Sequence, residues 1–173
     1  MRAGNWEISV KILSVVVVAV AAFAVLASAV DVVRIDGESM APALRSDQVV
    51  LVNRLAYGFQ LPLLDTYILR WARPTRGDVV FFHHPLDGRV AVKRCIGVAG
   101  DAIEVVRSHA RIAGNRVELS PFATERLSGR NQLDHGELFV LGDNRVGSQD
   151  SRNYGPIREA DVFGVLFRFQ LAG

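Results

Sequence analysis

The chain has 173 residues, a formal net charge of +2 and one cysteine, which leaves room for one modest domain, excludes an intrachain disulfide and argues against the clustered basic face of a nucleic-acid binder. Of its 20 basic residues only Lys11 and Lys93 are lysines. Chemistry that needs a primary amine beyond the N-terminal segment therefore has a single choice.

Residues 1–11 carry Arg2 and Lys11 against Glu7, and residues 12–30 then run for 19 positions without a charge. As a helix rising about 1.5 Å per residue, that run nearly covers a ~30 Å hydrocarbon core, and it has no polar face. It is expected to be a transmembrane anchor. Basic residues precede it and mixed charges follow it (Asp31, Arg34, Asp36, Glu38), which puts the N-terminus in the cytoplasm and residues 31–173 outside the inner membrane. Ala27-Ser28-Ala29 has the small-x-small pattern of a signal-peptide cut, but the apolar run exceeds the usual core of about 7–15 residues.

Residues 32–35 form a short expected strand that delivers the turn Asp36-Gly37-Glu38-Ser39-Met40-Ala41-Pro42-Ala43-Leu44. Gly37 permits close backbone approach and Pro42 restricts its neighbourhood, so Ser39 is a candidate nucleophile; taken alone, the same residues also suit an ordinary turn. A β-branched strand is expected over 47–53. Residues 55–71 crowd aromatic and aliphatic side chains between Arg54, Arg70 and Arg73. Such a segment suits either a surface dipping into lipid headgroups or a hydrophobic loop folded onto the core.

A buried strand over 79–82 ends at His83-His84, and adjacent histidines on a strand point to opposite faces, so they do not share a metal. No metal or cofactor is expected. After the hairpin signal Asp87-Gly88, a strand over 89–98 places Val90, Val92 and Arg94 on one face and Ala91, Lys93 and Cys95 on the other. Glycine turns separate strands at 102–106 and 117–119, and residues 120–136 are expected to be a polar loop. Strands at 137–141 and 162–169 close the chain. Many short strands with glycine turns predict a mainly β fold, a small antiparallel sheet or partial barrel.

Between the last two strands lies Gly142-Asp143-Asn144-Arg145-Val146-Gly147-Ser148-Gln149-Asp150-Ser151-Arg152-Asn153-Tyr154-Gly155, dense in hydrogen-bonding side chains. Ser-Met-x-Pro, then Lys-Arg in a strand, then Gly-Asp-Asn-Arg and Ser-x-Asp-Ser-Arg, resembles in that order the bacterial type I signal peptidases, over nearly the whole chain. The resemblance implies a partial-barrel β domain like that of signal peptidases and repressor autoproteases, with Ser39 as nucleophile, Lys93 as general base and Ser148 orienting the amine. It also implies an oxyanion hole at the Ser39 backbone N–H and the Gly37 region, and substrate walls at Val33, Ile35, Met40, Leu44, Ala91 and Val92. Arg94 with Asp143, and Asp150 with Arg152, match structural pairs. Gly37 stands where one group of the family has a serine, so the second oxyanion donor is not assigned, and the large β insertion of some members is absent.

The chemistry is self-consistent on physical grounds. A serine attacks only if a base within about 2.6–3.2 Å takes its proton, and a lysine can do so only when neutral. Its ordinary pKa of about 10.4 must fall by about three units, which desolvation in the apolar strand around Lys93 can supply. The expected activity is a membrane-bound endopeptidase that removes signal peptides from exported preproteins by cutting after Ala-x-Ala, with preproteins and membrane lipid as partners. Alternatives are a conjugation-associated relative, a repressor-type autoprotease, disfavoured by the membrane span, and a non-catalytic tethered β scaffold. The Ser/His branch of the family would call on His83 or His84, against Lys93 in the strand position.

Overall fold

The computed structural model describes residues 4–27, 29–60 and 67–167. Helix α1 (Gly4–Ala27) starts earlier and stops sooner than the expected span at 12–30. Val30 already belongs to strand β1 (Val30–Arg34), where pairing with Asn53 captures its backbone in a ladder. Among the described residues no helix is long and apolar enough to cross a membrane. Apolar side chains described along α1 are nonetheless solvent-facing, among them Ile12 at 60% exposure and Phe23 at 72%.

Eleven further strands follow: β2 (Val49–Asn53), β3 (Gly58–Gln60), β4 (Tyr67–Arg70), β5 (Val79–His83), β6 (Val90–Val98), β7 (Ile103–Val106), β8 (His109–Ile112), β9 (Asn115–Glu118), β10 (Glu137–Leu141), β11 (Ile157–Arg158) and β12 (Val162–Leu166). Six of them join β1 in one sheet in the order β1-β2-β12-β5-β6-β10-β11, with every pair antiparallel. The first and last strands do not pair, so the sheet is open. Strands β7 to β9 make a second sheet, and β3 with β4 a hairpin.

The core follows from strand alternation. β5 is buried along four consecutive residues because both of its faces are covered. Val79 and Phe81 enter a cluster with Ile35, Met40, Leu44, Val50, Val52 and Phe163. Val80 and Phe82 enter another with Tyr57, Cys95, Leu138, Val140 and Ile157. Each fully buried phenylalanine contributes roughly 1.5–3 kcal/mol, so this central strand fixes the frame around which the site strands are registered. Cys95 is buried and without a disulfide, and burial raises its thiol pKa to about 12. It is an inert core residue.

Two expectations change. The polar loop expected over 120–136 contains helix α2 (Pro121–Leu127), capped by Ser120, whose side chain accepts from the Ala123 N–H. Ala123, Leu127 and Leu133 are buried there in a third cluster with Ile103, Ile112 and Phe139. Strand β8 was not expected at all. Its burial alternates along four residues, too short a run to stand out beside its turns.

The aromatic segment 55–71 divides between its two readings. Tyr57 and Gln60 are buried, and Tyr67 Oη donates to Val162 O at 2.8 Å, tying the hairpin to the main sheet. Glu159, itself buried, pairs with Arg70 and Arg73. Ile68, Leu69 and Trp71 remain more than half exposed, at 59%, 60% and 54%. Residues 61–66 of that segment, Ser28, and the end of the last expected strand at 168–169 lie outside the described residues.

Candidate active site

Ser39 lies in the turn that follows β1. Leu44 N–H donates to Met40 O at 2.9 Å and Ala41 N–H to Glu38 O at 3.1 Å, so the turn closes on itself around Ser39. The Ala41–Pro42 peptide bond is cis, and Gly37 has a φ of +84°. Among the described residues nothing lies within 4 Å of where a Cβ at Gly37 would stand, so the backbone before Ser39 faces open space.

Lys93 lies on β6, paired opposite Val80 of β5. The alternation anticipated for this strand holds through Cys95: Lys93 and Cys95 are buried, and Val92 and Arg94 partly so. Lys93 is only 6% exposed, and its Nζ donates a hydrogen bond to Ser39 Oγ at 2.7 Å. Burial lowers the pKa of the amine, with the Asp150 carboxylate acting in the opposite direction.

The loop 142–149 frames this pair. Arg94 Nε and Nη2 donate to the two oxygens of Asp143 at 2.8 and 2.7 Å. Asp150 is wholly buried and caps helix α3 (Ser151–Tyr154). It accepts from Arg152 Nε at 2.8 Å and Nη2 at 2.9 Å, and from the Gly142 N–H at 3.0 Å. Burial pushes the Asp150 carboxyl up, but hydrogen bonding from Arg152 and the Gly142 N–H, with help from the Ser148 hydroxyl, leaves it below the usual range. A Cβ at Gly142 would meet Ser148 Oγ and stand 2.5 Å from Ser39 O. Only glycine lets the loop approach the Ser39 turn this closely.

Ser148 departs from its expected geometry. Its Oγ is buried and, among the described residues, has no hydrogen-bond partner. Its hydroxyl lies close enough to Asp150 to help lower that carboxyl, and the expected bond to the Lys93 amine is not formed. The expected substrate walls also divide. Ile35, Met40 and Leu44 are core residues at 3%, 0% and 3% exposure, so they support the site from behind, while Val33, Ala91 and Val92 keep partly exposed surface.

Ser39 and Lys93 share a cavity of about 310 Å³ with His84, Asp87, Arg89, Val90, Ala91, Gly147 and Gln149. Apart from Ala91, and His84 as an alternative base, these rim residues were not among the expected site residues. Asp87 and Arg89 pair at 2.8 Å, and His84 Nδ1 lies 3.1 Å from Asp87; the Asp87-Gly88 turn that folds them over the site was the available signal. His83 instead stacks beside Phe163, with ring centroids 5.1 Å apart. Among the described residues no group of His, Cys, Asp and Glu is placed to hold a metal ion.

Residues 8–169 match the family described as signal peptidase, peptidase S26. The chain belongs to the signal peptidase family. It is 31% identical to signal peptidase IB of Staphylococcus aureus (strain Mu50), over 95% of this chain and 88% of that protein. Similarity to signal peptidase I U of Bacillus subtilis (strain 168) is 30% identity over 91% and 84% of the two chains. A crystal structure of a signal peptidase I from Enterococcus faecalis V583 is 30% identical, covering 56% of this chain and 98% of that one, with a TM-score of 0.40. As a member of the signal peptidase family the chain is an enzyme, a peptide-bond hydrolase.

Proposed function

We propose that this signal peptidase removes N-terminal signal peptides from exported preproteins, with Ser39 as nucleophile and Lys93 as general base. The observation that carries the reading is the 2.7 Å contact between Lys93 Nζ and Ser39 Oγ with the amine buried. That distance is the reach of a proton transfer. Burial disfavours the ammonium form and lowers the pKa of the amine, which raises the share of Lys93 present as the free base. In that form the Ser39 hydroxyl donates to Nζ, and the proton passes to the amine as Oγ attacks the scissile carbonyl.

Attack moves negative charge onto the carbonyl oxygen, and the Ser39 N–H at the mouth of the open Gly37 backbone is the proposed donor to it. The ammonium then protonates the leaving amine, which becomes the new N-terminus of the mature protein. A water, deprotonated by the regenerated Lys93 amine, hydrolyses the acyl-serine. Ser148, whose buried hydroxyl has no hydrogen-bond partner among the described residues, is the proposed acceptor that steadies the amine once Oγ has turned to the substrate. A free Arg94 guanidinium would favour the neutral amine, but Asp143 holds and neutralises it, so burial is what lowers the Lys93 pKa.

The substrate strand runs past Val33 on one side and Ala91 and Val92 on the other, with residues before the cut reaching toward a site backed by the packed Ile35, Met40 and Leu44. A wall with so little give admits small side chains, which fits a preference for Ala-x-Ala. Exposed apolar side chains along α1 support a role for that helix as the membrane anchor, with the N-terminus cytoplasmic and residues 31–173 outside. Ile68, Leu69 and Trp71 support a second contact with the lipid surface. The test is to incubate the purified protein with a preprotein bearing an Ala-x-Ala site and sequence the new N-terminus. A cut after the second alanine, lost in Ser39→Ala, is the expected result; no cleavage by the wild type defeats the reading.

A further inference from the structure

The strands that carry the two reacting groups are not neighbours. β1, which leads into the Ser39 turn, and β6, which carries Lys93, stand first and fifth in the sheet. No ladder of hydrogen bonds between them sets the Oγ to Nζ distance, so loops must set it.

Two consecutive residues of the 142–149 loop reach both carriers. Asp143 grips Arg94, next to Lys93, through hydrogen bonds of 2.8 and 2.7 Å. Asn144 grips the nucleophile turn: its main-chain N–H donates to Ser39 O at 3.1 Å, and its Nδ2 donates to Glu38 O at 3.2 Å. Its Oδ1 accepts from the Gly147 N–H at 3.3 Å, folding the loop back on itself. Both ends of this one side-chain amide are directed at the turn and the loop that meet over Gly142.

We propose that Asn144 is a positioning residue for the reaction, using the carbonyls of Glu38 and Ser39 to place Oγ against the Lys93 amine while Asp143 holds the β6 side. The proposal rests on the Ser39–Lys93 reading above. Loss of the Nδ2 donor frees the turn to shift, and a misplacement of the order of 1 Å costs roughly 10²-fold in rate. A looser contact also admits water to the amine, which weakens the desolvation that keeps it neutral.

The test compares Asn144→Ala, Asn144→Asp, Ser39→Ala and Lys93→Arg as full-length proteins in detergent on one preprotein. Asn144→Ala should melt near wild type, lose kcat by roughly 10²-fold with KM little changed, and move the acid limb of its pH–rate profile to higher pH. Asn144→Asp keeps the acceptor for the Gly147 N–H and loses the donor to Glu38 O, so it should be equally impaired in kcat. Wild-type kcat in Asn144→Asp shows that Asn144 only braces the loop, and overturns the proposal. So does an unchanged kcat with an unshifted acid limb in Asn144→Ala while Ser39→Ala and Lys93→Arg are inactive. If Asn144→Ala does not fold, the kcat and KM of Asn144→Asp decide alone. Activity retained by Lys93→Arg removes the underlying dyad, and the proposal with it.

Discussion

Lys93 is where a single substitution distinguishes chemistry from charge. Lys93→Arg keeps the positive charge, but a guanidinium with a pKa above about 12 cannot accept a serine proton near neutrality. General-base catalysis is worth about 10²–10⁴-fold, so kcat/KM should fall by at least that order while the fold, followed by circular dichroism, is kept. In the wild type the sign of the pH dependence follows from the lowered amine pKa: activity should be small where Lys93 is protonated and rise with pH through a value below the ordinary lysine range. A rate limb at the ordinary lysine pKa counts against Lys93 as the desolvated base. Gly142 offers an independent check. A Cβ there would press on Ser148 and on the Ser39 carbonyl, so Gly142→Ala should displace the nucleophile turn and lower kcat roughly 10²-fold.

Among the elements, helix α3 is the joint that makes the site rigid, because its N-cap Asp150 also accepts the Gly142 N–H and two guanidinium hydrogens of Arg152. Removing one partner of such a buried pair costs about 3 kcal/mol or more, and Asp150→Ala should lose that much in urea unfolding at neutral pH. The folded Asp150 carboxyl is held below its unfolded value, so its contribution is present above about pH 4 and disappears as pH falls through the folded pKa. The wild-type and variant stabilities should therefore converge in acid. The strands around the site were legible because β5 is an unbroken apolar run, Lys93 to Cys95 of β6 alternate, and glycine turns at Gly77, Gly88 and Gly100 flank them. Helix α2 was not: its Ser120-Pro121 start and its Ala123 and Leu127 spacing are helix signals, but they sit among polar residues that outnumber them. Met40 misled in the opposite direction, since the residue next to Ser39 in sequence turned inward to the Phe81 cluster. Local spacing cannot show which side of a turn the core lies on.

At the scale of the whole molecule, the core clusters are built from residues beyond α1. A chain lacking residues 1–28 should therefore fold and unfold cooperatively, and one that aggregates without a folding transition counts against an independent β domain. In the proposed topology, protease added to spheroplasts should digest loops of residues 31–173, whereas complete protection of a lysis-sensitive fold defeats it. The passage from α1 to the nucleophile has a further consequence. Only 11 residues separate Ala27 from Ser39, and five residues from Val30 to Arg34 are fixed in β1. Fully stretched, the link reaches about 40 Å. If α1 is anchored as proposed, an enzyme so tethered would act as a ruler, selecting bonds by their height above the bilayer as well as by the side chains around them, and glycines inserted after Ser28 should move the preferred cut outward.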